Sequence, residues 1–278
     1  LNQLGVSPSF QKFPAYRRVK FFFSKWVALW QLIKFCRLHQ IDLICSNSYR
    51  VTPYAVKVAK FLKVPSVTIV HDFVPGEKLN KFFVFDCNLL VTVSHSLHKE
   101  WEHRFKRKIM TVHNGMDIDK FVLKADQIKS LREEYDIPLT HKIVGMVGNF
   151  APVKGHRLFL EAMKEVRASF PEVTFVVVGD SLGVKNFSMQ DLKDEAMRQG
   201  IAQNVIFTGN RKDIASVLKS FDILVLPSSK ESFGRVVMEA MAMEVAVVAT
   251  DCGGPREIIE DGISGIMVPV DDAARIAQ

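Results

Sequence analysis

The chain has 278 residues, 48% hydrophobic and 24% charged, with a net charge of +7, the composition of an ordinary globular protein long enough for two domains of roughly 100–150 residues. Its four cysteines, Cys36, Cys45, Cys87 and Cys252, stand far apart, with no CxxC pair and no histidine spacing suited to zinc. A disulfide framework and a structural metal are therefore not indicated, and a reducing cytosol fits.

The charge is unevenly spread. Residues 1–113 carry 18 Lys or Arg against 6 Asp or Glu, a net +12, whereas residues 114–278 carry 19 against 24, a net −5. A basic half beside an acidic half predicts two domains with different partners, the basic one facing phospholipid headgroups or phosphorylated glycans. No nucleic-acid recognition motif accompanies the charge, so nucleic acid is not among the expected partners.

Along the chain, the start at Leu1 shows no signal-peptide pattern, and the last residues, DDAARIAQ, read as the first turns of a helix. The expectation is a chain truncated at both ends. The stretch 16–40, YRRVKFFFSKWVALWQLIKFCRLHQ, is interrupted by Lys25, Gln31, Lys34 and Arg37, so it lacks the ~20 apolar residues of a spanning helix. It reads as an amphipathic helix covering the first sheet, with an interfacial membrane helix as the alternative.

Short β-rich runs follow at 42–46, 66–72, 89–94 and 109–115. A second series occupies 142–149, 174–180, 204–209, 222–227, 245–250 and 265–268. Continuous apolar strands with a helix between each pair predict parallel sheets buried on both faces. The predicted fold is α/β with two Rossmann-like, doubly wound parallel-sheet domains, 1–113 and 114–278. After Lys154, Leu158, Phe159, Ala162, Met163 and Val166 share one face of a helix. The charged stretch 116–141 leads into the second sheet.

Ligands bind beyond the carboxyl ends of strands in open parallel sheets. Two such positions stand out. GNFAPVKGH follows the first strand of the second domain, with Gly148 expected to let the backbone turn and Lys154 at the entry to a helix. PSSKESFGR follows the fourth, and helix amides around Gly234 and Arg235 there suit an anionic diphosphate together with the Lys154 ammonium. The bland alternatives are a solvated lysine and ordinary turn glycines.

Glu231 and Glu239, in the form E-x-F-G-x-x-x-x-E-A-M-A, resemble the signature of the retaining glycosyltransferases of family 4, which have the two-Rossmann GT-B architecture. VHNGMDIDKF (112–121), VGNFAPVKGH (147–156), VVVGD (176–180), IFTGNRKDI (206–214) and ATDCGGPREIIEDGISGIMV (249–268) fall in the same order as the family's other motifs. The resemblance implies transfer of a sugar from a nucleotide-sugar donor to a glycan or lipid-linked acceptor hydroxyl, with retention, no metal and no cofactor. Lipopolysaccharide, glycolipid or other cell-surface glycan synthesis is the expected setting, in the cytoplasm or peripherally at the inner face of the membrane.

By motif, Lys154 contacts the diphosphate, Glu231 the sugar hydroxyls, Phe233 and Gly234 amides the sugar and phosphate, Glu239 the ribose, and Arg211 and Lys212 the base. Gly148, Asn149 and Arg235 complete the donor set. His71, at the end of the second run, matches a histidine near the reacting sugar; its alternative is a strand-end cap. Asn149 stands where many relatives have arginine, leaving Arg157 or Arg235 as substitute cations. His95, His98, His103 and His156 read as surface residues, and Asp117 as a turn residue. Two other function classes stay open: a non-catalytic glycan- or membrane-binding fragment, and a dinucleotide enzyme, which the absence of GxGxxG disfavours.

Overall fold

A computed structural model describes residues 22–73, 86–123, 130–181 and 187–278. The chain forms two compact units, one of Leu1–Val93 with His98–Val112, the other of Ser94–Leu97 with His113–Gln278.

The first unit holds a parallel sheet of order β1-β2-β3-β4, with β1 Ile44–Ser46, β2 Ser66–Val70, β3 Leu89–Thr92 and β4 Lys108–Thr111. Helices α1 (Phe22–Leu38) and α2 (Thr52–Leu62) flank it, and α3 (His95–Glu102) follows β3. α2 opens on Pro53, which is pre-set for a first helical turn, and stops at Lys63, whose left-handed backbone ends the hydrogen-bonded ladder. α1 buries Ala28, Leu29, Ile33 and Cys36 against Tyr54 and Val58 of α2. Its other side keeps Trp26 and Trp30 about half exposed, at 54% and 57%, with Trp30 edge-on to Phe61. The stretch is thus helical over 22–38, but it is not amphipathic as expected, since Val27, Phe35 and Leu38 are exposed along with the two tryptophans, and it buries itself mainly on a neighbouring helix. Residues 16–21 lie outside the described residues. Among those described, no helix is long and apolar enough to cross a membrane.

The second unit is a six-stranded parallel sheet of order β10-β9-β8-β5-β6-β7. Its strands are β5 Lys142–Val147, β6 Val173–Val178, β7 Val205–Gly209, β8 Ile223–Leu226, β9 Ala246–Thr250 and β10 Ile266–Val268. All six residues of β6 (VTFVVV) are buried, as a strand covered by helices on both faces requires. Two apolar clusters line the two faces of the sheet. Helices α4 (Leu131–Glu134), α5 (His156–Ser169), α6 (Met189–Arg198), α7 (Ile214–Lys219), α8 (Arg235–Ala242) and α9 (Ala273–Ala277) complete it. On α5 the predicted face is buried through Phe159, Ala162 and Met163, joined by Leu160. A capping box between Ser188 and Asp191 fixes the start of α6.

One expectation needs correction. No α-helix joins β9 to β10; a 3-10 turn, Gly254–Glu257, does so within a link long enough for a parallel crossover. The stretch 116–141 contributes only a 3-10 turn, Ile118–Phe121, and the single turn α4, with 124–129 outside the described residues. The strand order has one functional consequence. The chain runs from β5 outward through β6 and β7, then returns so that β8 lies on the other side of β5. β5 and β8 therefore flank the switch point, where parallel sheets open a crevice at their carboxyl ends.

Candidate functional site

The loops after β5, β8 and β9 all emerge at that crevice. After β5, residues 152–154 form a 3-10 turn that Gly155 ends, and α5 begins. Gly155 has φ +73°, and a Cβ there would lie 1.9 Å from the Pro227 carbonyl oxygen, so this position is closed to any side chain. The close approach lets Ser229 N–H donate to the Val153 carbonyl at 2.9 Å, tying the lysine-bearing turn to the loop after β8. Gly148, by contrast, continues the strand: its N–H donates to Val178, its φ is not positive, and a Cβ would meet only the Lys154 stem at 3.9 Å. The turning glycine is Gly155, not Gly148.

Lys154 and Glu231 meet directly. The Lys154 Nζ donates to Glu231 Oε2 at 2.5 Å, with side-chain exposures of 28% and 12%. Glu231 is held in place by its backbone: its N–H donates to the Cys252 carbonyl, and its carbonyl accepts from Gly254 N–H at 2.9 Å. Gly254 must be glycine, because a Cβ would fall 2.3–2.6 Å from the backbone of Ser232 and Phe233. Thr250, buried at the end of β9, shares its one hydroxyl proton between the Leu226 and Ser228 carbonyls and ties the β8 and β9 loops together.

Gly234, at φ +94°, precedes α8, so the helix amides open on this crevice beside the buried Phe233. Arg235 is exposed on the first turn, and Glu239, one turn on, is half-buried. Burial pushes the Glu239 carboxyl above the usual range, with the Arg235 charge opposing it. Asn149 is exposed beyond β5. Arg157 does not reach the place of the absent arginine; its guanidinium lies over the Phe187 ring, 5.3 Å from the centroid.

Arg211 is tied elsewhere. It makes a bidentate pair with Glu134 and another with Asp213, and these hydrogen bonds raise its pKa and lower that of Glu134. Its guanidinium braces the loop after β7 against α4, while Lys212 is exposed. His71 lies in the first unit, just beyond β2, with Nε2 2.6 Å from Asn47 Oδ1. Asp72 is exposed beside it, and the imidazole's hydrogen bond goes to the asparagine.

Of the histidines read as surface residues, His95 and His103 are exposed, but His98 is half-buried and bonded to Thr111. His156 is buried at the start of α5, packed edge-on to Phe150 and Phe187. Burial drives its pKa down to about 4, so it is a neutral core residue. Gly155, Gly254 and Thr250 were not singled out by the sequence reading, although the Lys-Gly and Gly-Gly-Pro pairs around them are visible in it.

Two family matches cover most of the chain. Residues 3–120 match the family described as Glycosyltransferase Family 4 and residues 141–278 that described as Glycosyl transferases group 1. The N-acetyl-alpha-D-glucosaminyl L-malate synthase of Bacillus anthracis is 29% identical over 231 residues, 80% of this chain and 57% of that protein. The D-inositol 3-phosphate glycosyltransferase of Corynebacterium jeikeium is 33% identical over 165 residues, 58% of this chain and 39% of that protein. The chain thus spans well under two thirds of the length of these relatives. Among solved structures, Anabaena Alr3699/HepE in complex with UDP-glucose superimposes with a TM-score of 0.80 at 23% identity, covering 90% of this chain and 70% of that one. A glycosyltransferase from Rickettsia africae does so with a TM-score of 0.80 at 22% identity, covering 94% and 71%. These likenesses show the fold.

Proposed function

Because the chain belongs to the family 4, group 1 glycosyltransferases, we propose that it transfers a sugar from a nucleotide-sugar donor to an acceptor hydroxyl, with retention at the anomeric carbon and without a catalytic metal. The observation that carries this reading is the meeting of Lys154, Glu231 and the amide-bearing start of α8 at the β5/β8 switch point. A helix start and an ammonium suit a diphosphate, and a carboxylate beside them suits sugar hydroxyls. The complex of the Anabaena protein with UDP-glucose supports a donor of this class.

As the anomeric bond breaks, negative charge grows on the nucleoside diphosphate. Lys154 and the amides at Gly234 stabilise that charge more than the ground state, and one charge-assisted hydrogen bond contributes about 1.5–3 kcal/mol. Glu231 accepts hydrogen bonds from the sugar, and Glu239, about 7–8 Å along the helix from Gly234, from the ribose. A covalent route needs a second carboxylate roughly 5 Å from the first. Among the described residues the carboxylate nearest in the motif, Glu239, is assigned to the ribose, so we favour same-face attack, with the leaving phosphate taking the acceptor proton. His71 assists at the acceptor side.

The acceptor in this reading is anionic or lipid-linked. The net +12 of residues 1–113 supports it, as do the malate and inositol phosphate in the names of the two relatives. The exposed Trp26 and Trp30 on the outer side of α1 support peripheral contact with an anionic membrane at its cytoplasmic face.

The test is release of nucleoside diphosphate from a panel of sugar nucleotides, with the anomeric configuration of the product read by NMR. Expected is donor-specific release that Lys154→Ala suppresses, with retained configuration. Lipid or glycan binding without any release would leave the non-catalytic reading in its place.

A further inference from the structure

One cluster in the second unit takes no part in the donor site as described. His95, at the start of α3, His113, ahead of the Asn114-Gly115 turn, and Glu257, in the 3-10 turn after β9, bring one ligand atom each within 4.8 Å of one another. All three belong to the second unit. They stand far apart in sequence, which is why a search for metal-ligand spacing along the chain passes over them.

The carboxylate is fixed before any ion arrives. Glu257 Oε1 accepts from Ser96 N–H at 2.8 Å, and Oε2 accepts from His95 N–H at 2.7 Å and pairs with His113 Nε2 at 2.9 Å. Its side chain is 14% exposed, against 46% for His113. His113 is also oriented: its ring stacks on Phe233 with centroids 5.4 Å apart and an interplanar angle of 26°, while His95 stands edge-on to it at 5.4 Å. Two imidazoles and one carboxylate, with the carboxylate held by backbone donors, form a recognised donor set for a borderline divalent ion. Ligand atoms on a tetrahedral ion with bonds of about 2.0–2.2 Å lie roughly 3.3–3.5 Å apart. Reaching that spacing requires His113 Nε2 to back away slightly from Oε2 and the His95 ring to swing inward.

We infer that His95, His113 and Glu257 form a binding site for a single Zn²⁺-type divalent ion, distinct from the donor site. The ion takes three protein ligands and leaves the fourth position to water. Hard ions such as Mg²⁺ prefer all-oxygen sets and do not compete. Because His113 stacks on Phe233, the residue before Gly234, the ion stiffens the support of the donor loop; no step of sugar transfer passes through it.

The experiment uses the untagged 278-residue chain stripped with a chelator and titrated with Zn²⁺ by calorimetry, with Co²⁺ absorption as an independent readout. Expected are one ion per chain, a tenfold or greater loss of affinity in His95→Ala and in His113→Ala, and a Co²⁺ visible band that both variants lose. His103→Ala, on an exposed histidine outside the cluster, and an excess of Mg²⁺ leave the binding unchanged. Circular dichroism establishes that each variant is folded, and His95→Gln or His113→Gln serves where the corresponding alanine variant is not. Absence of stoichiometric Zn²⁺ binding overturns the inference, leaving an ordinary His113–Glu257 ion pair. So does unchanged affinity in His95→Ala and His95→Gln, or an equal loss in His103→Ala.

Discussion

On the proposed reading, the resting site sets Glu231 and the donor in competition for one ammonium. The perturbation is Glu231→Gln, and the quantity is affinity for a nucleoside diphosphate that carries no sugar. The Lys154–Glu231 pair, at 2.5 Å with 28% and 12% of the side chains exposed, lies between two known cases. Fully exposed pairs contribute about 0–1 kcal/mol, and breaking a fully buried one costs about 3–5 kcal/mol. A net value of about 1–2 kcal/mol follows for this partly buried pair. A diphosphate must displace Glu231 to reach Lys154, and an amide oxygen holds the ammonium more weakly than a carboxylate does. Glu231→Gln therefore tightens nucleoside diphosphate binding by about 1 kcal/mol, roughly fivefold, even as it lowers kcat by removing a group that grips the sugar. Lys154→Ala weakens binding by up to about 1.5–3 kcal/mol, less whatever the broken pair returns. Calorimetry on both single variants and the double variant is the assay. In the Lys154→Ala background the gain from Glu231→Gln shrinks to within about 0.5 kcal/mol of zero, since the ammonium being competed for is gone. Weaker binding in Glu231→Gln, or the same gain in both backgrounds, refutes the competition; the second result would measure plain repulsion between Glu231 and phosphate.

Glu239→Gln should raise the donor KM with little change in kcat; because burial raises the Glu239 carboxyl, the wild-type KM should begin to rise on acidification at a pH above the ordinary carboxylate range. Neutral, buried His156, with its pKa lowered to about 4 from 6.5, binds fewer protons folded than unfolded between those values. Stability is then complete above about pH 6.5 and falls as pH drops toward 4, by up to about 3 kcal/mol, and His156→Phe should flatten urea-unfolding curves measured across that window. The basic first unit with its exposed tryptophans predicts binding to anionic vesicles that declines as salt shortens the ~10 Å Debye length of 0.1 M solution, and that Trp26→Ser with Trp30→Ser weakens; equal binding to neutral vesicles would remove the electrostatic part.

Much of this fold is legible in the chain because parallel strands covered on both faces are continuous apolar runs. The run TFVVVGD takes in all of β6 but its first residue, Val173, and each of the ten predicted runs overlaps one observed strand. What such runs do not carry is order. That β8 returns beside β5, which brings Lys154 to Glu231 across 77 positions, follows from helix crossovers that local pattern does not encode. Glycines were misread for a related reason. Gly148 and Gly155 look alike in sequence, and only the approach of the Pro227 carbonyl distinguishes the one that must lack a side chain. His156 carries a polar label, but its place between Phe150 and Phe187 is set by packing. The His95–His113–Glu257 cluster joins three segments that no spacing rule relates.

The same geometry narrows where positive charge for a leaving diphosphate can come from. Asn149, exposed beyond β5, brings no charge to the crevice. Arg157 is held over Phe187, and Arg211 is shared between Glu134 and Asp213, so neither guanidinium is free without losing a contact that shapes its loop. Arg256 is paired with Asp251. Of the described groups assigned to the diphosphate, Lys154, the exposed Arg235 and the amides at the start of α8 remain. On the proposed reading, Lys154 is held by Glu231 until a donor arrives, and its charge turns to the diphosphate only as a sugar draws Glu231 to its hydroxyls. Free phosphate offers Glu231 no hydroxyls and so must pay for separating the pair, whereas a sugar nucleotide supplies a replacement partner for each half. On that reading, discrimination of donor from product diphosphate is built into one ion pair, and it favours release of the nucleoside diphosphate once the sugar has left.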